Sequence, residues 1–164
     1  MAARLPPRAA YLMAMSRPYV SAACLAILLA VNPAAAQPPI NRPRVEVSRA
    51  WARATAPLQD VTAAYFTVRS PAADTLIAIT SPDASAAMLH TTTNLGGMAD
   101  MDALNLPAGQ TIRLAPRGMH VMLMGLRHPL IAGGTLRLDF RFAHAGAAHV
   151  IAQVLPIGSA GPPP

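Results

Sequence analysis

The stretch Thr135-Leu136-Arg137-Leu138-Asp139-Phe140-Arg141-Phe142 alternates apolar and polar residues without a break. Successive side chains of an extended strand point to opposite faces. Leu136, Leu138, Phe140 and Phe142 therefore share one side, and Thr135, Arg137, Asp139 and Arg141 the other. A helix would scatter the same apolar residues around its circumference. The period recurs on both sides of this stretch and predicts further strands over residues 45–53, 61–69, 75–80, 86–92, 111–115, 119–126 and 148–155. Between them lies turn chemistry: Ser81-Pro82-Asp83, Pro107-Ala108-Gly109, Pro116-Arg117-Gly118, Gly133-Gly134 and His144-Ala145-Gly146. No segment carries a helical apolar stripe with caps at both ends. Short strands at regular turn spacing predict an all-β antiparallel sandwich or small barrel.

The chain has 164 residues, enough for one domain. With 53% hydrophobic and only 12% charged residues, it is neither a coiled coil, a helical bundle nor a charged disordered chain. All 13 basic residues are arginine, and the formal charge of +6 invites a nucleic-acid reading. Three of them, Arg4, Arg8 and Arg17, fall in a segment that reads as a leader. The rest are spread singly among the acids, as on an ordinary solvated surface, so no nucleic-acid partner is expected.

Residues 1–36 read as a secretory signal. A basic start precedes the apolar run Ala22 to Val31, which is too short to span a bilayer, and Ala34-Ala35-Ala36 supplies small residues for cleavage before Gln37. Met13 or Met15 is an alternative start. The only cysteine, Cys24, lies near the beginning of that run, whereas an acylated cysteine would follow it. Cleavage would remove the only thiol, leaving a periplasmic protein without disulfides, thiolate metal ligands or stable membrane insertion. Residues 37–44 form a Pro-rich linker, 45–156 the β-domain, and 157–164 a flexible Pro/Gly tail expected to pair with nothing.

All six methionines beyond the leader lie between Met88 and Met124, together with His90 and His120. On a strand, His120, Met122 and Met124 share one face, while Met119, Val121 and Leu123 take the other. Met88 and His90 form a second same-face pair, and Met98 and Met101 fall in the Gly96-Gly97 loop between the two. Imidazole and thioether donors without thiolate select Cu(I). Zinc would want cysteine, more histidine or carboxylate, and calcium or magnesium would want clustered oxygens. Methionine is also a common core filler, and Met88, Met119 and Met124 read as packing on pattern alone. From the residues themselves, copper binding and a methionine-filled core stand as equal alternatives.

His90, ten intervening residues, Met101, and then His120-Val121-Met122 resemble the signature of the PCu(A)C periplasmic copper chaperones. The resemblance extends to Ala50-Trp51-Ala52-Arg53-Ala54-Thr55-Ala56-Pro57, Ala63-Ala64-Tyr65-Phe66 and Leu123-Met124-Gly125-Leu126-Arg127-His128-Pro129-Leu130. It implies a cupredoxin-like Greek-key sandwich that holds Cu(I) at an exposed site. By position the ligands would be His90, Met101, His120 and Met122. Met98 is the second choice in place of Met101, because the family's Met-x-Met is here Met98-Ala99-Asp100-Met101. The implied recipient is the copper-accepting subunit of a haem–copper respiratory oxidase, alongside a Sco-type thiol protein. The tail lacks the His and Met that hold a second ion in some relatives, which implies one metal per chain.

Two other classes compete. A copper-resistance or storage protein would share the ligands without a dedicated recipient, and a structural β-sandwich would take up no copper. No G-x-S-x-G, H-E-x-x-H or paired-carboxylate spacing supports an enzyme. His128, His144 and His149 read as surface or turn residues, and Trp51 as a core anchor with a possible cation–π role.

Overall fold

The computed structural model describes residues 44–94 and 96–162; the expected leader and nearly all of the linker lie outside them. The described residues form ten strands and no helix. They are β1 (Glu46–Arg53), β2 (Val61–Arg69), β3 (Asp74–Thr80), β4 (Ala84–Thr92), β5 (Met98–Met101), β6 (Leu104–Leu106), β7 (Thr111–Arg113), β8 (His120–Leu126), β9 (Thr135–Phe142) and β10 (Ala147–Leu155). One sheet in the order β5-β4-β8-β2-β1-β10-β9-β3-β6, with β7 also on β2, curls around a single apolar core. Every pairing is antiparallel except that of β1 with β10, which is parallel.

The alternation that announces β9 places Leu136, Leu138, Phe140 and Phe142 in that core, where Phe140 meets Phe66 edge-on at 4.9 Å between ring centroids. The β9–β10 turn is closed by Phe142 N–H donating to the Gly146 carbonyl, with Gly146 at φ 83°. Asp74, at the start of β3, accepts hydrogen bonds from the backbone N–H groups of Thr75, His144 and Ala145 and so ties β3 to that turn. Burial opposes ionisation of Asp74, but these donors outweigh it and hold the carboxyl below its ordinary pKa. Gly125 in β8, at φ 62°, is required by crowding as well as by its backbone. A Cβ there would lie 2.7 Å from Ser85 Oγ, which donates to the Gly125 carbonyl.

Two expectations are corrected, on β5 and on the tail, and the reading of Trp51 as a buried anchor is refined. Met98 and Met101 do not lie in a loop but begin and end β5, which pairs with β4. Trp51 is buried but belongs to the opposite face from the core. Val45 and Val47 pack on the core, and strict alternation would send Trp51 the same way. A bulge between Ser48 and Trp51, with Arg49 at φ 52°, shifts the parity by one residue. Ala50 and Ala52 then enter the core, and Trp51 stacks on Tyr65 on the other side at 4.4 Å between centroids. The tail, finally, does make contacts as far as it is described. Arg53 donates from Nε and Nη2 to the Ser159 carbonyl, and Gly161 lies beside the Trp51 ring. Short Pro/Gly segments lack periodicity of their own, so only the partner side chains reveal such docking.

Candidate metal centre

The pairing of β4 with β8 builds the candidate site. His90 lies directly opposite His120 in this register, and Met88 lies opposite Met122. Cross-strand partners share a face, so two imidazoles and two thioethers form a two-by-two array on neighbouring strands. The next residue on each strand, Leu89 or Val121, points into the core. The histidine rings stand at 90° with their centroids 5.7 Å apart. Tyr65 from β2 lies 6.4 Å from the His120 ring, which extends the row to Trp51. Burial raises the Tyr65 pKa above its ordinary value; Arg53, 5.8 Å from the ring centroid, pulls the other way.

The two histidines differ in what holds them. Both are buried, at 9% and 7% exposure. His120 Nδ1 lies 3.1 Å from the Gly118 carbonyl oxygen. A carbonyl can only accept, so Nδ1 carries the proton and Nε2 keeps its lone pair. Neither ring nitrogen of His90 has a hydrogen-bond partner among the described residues. Asp100 Oδ1, opposite His90 on β5, comes within 3.0 Å of His90 Nε2 without meeting hydrogen-bond geometry. A buried polar side chain left without partners costs stability unless something else satisfies it.

Of the residues expected from the sequence, the structure brings together His90, His120 and Met122. Met98 lies opposite Thr92, two positions from His90, and so shares the imidazole face at 59% exposure. Met101 lies opposite Leu89, the core-facing register position, and packs partly on the core. It lines a cleft of about 280 Å³ together with Met88 and Asp100, on the side of β4 that faces β3. The register thus places Met98 and Met88, but not Met101, on the imidazole face. Asp100 and the Gly118 carbonyl were not singled out in the sequence. The turn Pro116-Arg117-Gly118, two residues before His120, was the available signal for the second. His128 is largely exposed with Nε2 3.3 Å from Asp83, while His144 and His149 are exposed and distant in register from the array.

No group of three His, Cys, Asp or Glu side chains among the described residues is arranged to hold a metal. In register, the donors beside the two imidazoles are the thioethers of Met88, Met98 and Met122. The orphaned His90 nitrogens, the free Nε2 of His120 and the adjacent methionines fit a soft monovalent ion better than a hard divalent one.

Fold and face together define an all-β domain with a soft imidazole–thioether cluster on the outer side of one strand pair. The family model described as "Putative lipoprotein LpqE-like" matches residues 45–154, and the chain belongs to this family. "Putative lipoprotein Lxx21020" of Leifsonia xyli subsp. xyli is 37% identical over 129 residues, covering 74% of this chain and 76% of that protein. Among solved structures, the apo PmoF2 PCuAC domain superposes with a TM-score of 0.64 at 25% identity, covering 73% of this chain and 95% of the other. The Cu(I) form of DR1885 from Deinococcus radiodurans gives 0.57 at 34% identity, covering 70% and 79%. The fold is PCuAC-like, the cupredoxin-like β architecture expected from the sequence. No described helix is long and apolar enough to cross a membrane.

Proposed function

We propose that this chain is an exported Cu(I)-binding metallochaperone, not an enzyme, with His90, His120 and Met122 as ligands and a further thioether from the surrounding methionines. One observation carries the reading: His90 and His120 face each other across β4 and β8, and His90 Nδ1 is buried without a hydrogen-bond partner. Two of the similar structures are named as a copper-bound PCuAC domain and as the Cu(I) form of DR1885, which supports the choice of metal.

The residues suit transfer more than permanent storage. Imidazole and thioether are neutral donors that hold Cu(I) less tightly than thiolates, so a recipient can displace them one at a time. Met88 and Met98, 39% and 59% exposed, put sulfur where an incoming ligand can reach it. Thiol-free donors also suit an oxidising compartment, although sulfoxidation would turn a soft donor hard. The lipoprotein descriptions of the family and of the Leifsonia relative support export, and a periplasmic location with a cleaved signal is part of this reading. The proposed recipient is the copper-accepting subunit of a respiratory oxidase, with a Sco-type thiol protein as co-worker.

Anaerobic titration of Cu(I) against a chromophoric chelator should show one equivalent per chain, and X-ray absorption should count both nitrogen and sulfur donors. The double variant His120→Ala/Met122→Leu should lose that equivalent; unchanged affinity would remove the assignment. Normal oxidase activity in a deletion strain, with copper sensitivity, would replace delivery by storage.

A further inference from the structure

We propose that Asp100 is a positioning residue that orients His90, fixing its proton on Nε2 and leaving Nδ1 as the nitrogen offered to the metal. The inference deepens the metal-binding reading and rests on it for its consequence, though not for its first observable.

Three features support it. Asp100 is the direct cross-strand partner of His90 in the β4–β5 ladder, so the pairing is built into the backbone register. Its Oδ1 is 3.0 Å from His90 Nε2, and no other polar group among the described residues makes a hydrogen bond to either nitrogen. The two side chains also differ in freedom. That of His90 is only 11% exposed and confined by packing, whereas that of Asp100 is 74% exposed. The exposed carboxylate is thus the partner free to adjust to the ring.

An anionic oxygen beside Nε2 favours the tautomer with the proton on that nitrogen, because a lone pair there would face a negative charge. Nδ1 then carries the lone pair. His120 is set the opposite way, since the Gly118 carbonyl holds the proton on Nδ1. The paired imidazoles would thus offer unlike nitrogens, Nδ1 from β4 and Nε2 from β8. Removing a carboxylate that orients a ligating histidine typically weakens metal binding by about ten- to a hundredfold.

The test is long-range 1H–15N correlation on the metal-free protein. His90 should show the Nε2–H form and His120 the Nδ1–H form. In Asp100→Ala the His90 tautomers should redistribute while His120 keeps its pattern, which also reports an intact fold. Cu(I) affinity should fall about ten- to a hundredfold, with recovery in Asp100→Glu. A His90 proton on Nδ1 in the parent protein, or an unaltered His90 tautomer in Asp100→Ala, would overturn the proposal. Failure of the parent protein to bind Cu(I) would sink the functional reading instead, and the tautomer result would still decide the role of Asp100.

Discussion

Asp74 and His90 are both buried polar side chains, at 8% and 9% exposure, with opposite hydrogen-bond records. Asp74 receives backbone N–H groups from Thr75, His144 and Ala145. His90 has nothing at Nδ1, and at Nε2 only the exposed carboxylate of Asp100, which falls short of hydrogen-bond geometry. Folding accounts for the first residue, because the carboxylate closes the β9–β10 turn against β3. It does not account for the second, whose burial leaves polar atoms unmet. A residue that the fold does not need, beside another imidazole and exposed sulfur, points to a ligand.

The comparison is tested most strongly by removing each side chain. Asp74→Ala strands the turn donors and should lower stability by about 3 kcal/mol in urea unfolding. His90→Leu replaces an unsatisfied buried group with an apolar one and should stay within about 1 kcal/mol of the parent, in either direction. Equal losses in the two variants would make His90 a structural residue and break the contrast.

Much of this arrangement could be read in the sequence. Period-two alternation announces the strands that carry the histidines, and the i, i+2 rule places His120 with Met122 and Met88 with His90 on shared faces. β5 and β6 escaped because four and three residues are too few to show a period; they exist through pairing with β4 and β3. The face taken by Trp51 was not legible, because the parity shift is a backbone event at Arg49 without a side-chain signature. The place of Asp100 depends on the β4–β5 register, and that depends on how the intervening loop closes.

A smaller effect separates the register from the motif. The spacing from His90 nominates Met101, whereas pairing puts Met88 and Met98 on the imidazole face and Met101 towards the core. Leucine keeps most of the methionine volume and removes the donor. Chelator competition should show Met88→Leu or Met98→Leu weakening Cu(I) binding by about tenfold, near 1.4 kcal/mol, and Met101→Leu by less. The reverse order would mean that β5 re-registers when copper binds, and that the motif spacing selects the donor.

The smallest expected effect returns to Asp74 and is one of pH. Its pKa in the folded protein lies below that in the unfolded chain, because three N–H donors favour the carboxylate more than burial disfavours it. The native state therefore binds the proton less readily than the unfolded state does. The resulting stabilisation is complete above the unfolded pKa, at about 4, and is lost as pH falls through the lower, folded value. Asp74→Asn keeps a carbonyl acceptor but cannot ionise, so its stability should lack this component. Subtracting its urea-unfolding profile from that of the parent should cancel the other carboxylates. The difference should be flat above about pH 5 and shrink as acid is added. A difference that grew towards low pH would mean that the folded state binds the Asp74 proton more tightly than the unfolded chain does. The turn donors would then be weaker than the desolvation they oppose, and Asp74 would join His90 as a buried group that the fold leaves wanting.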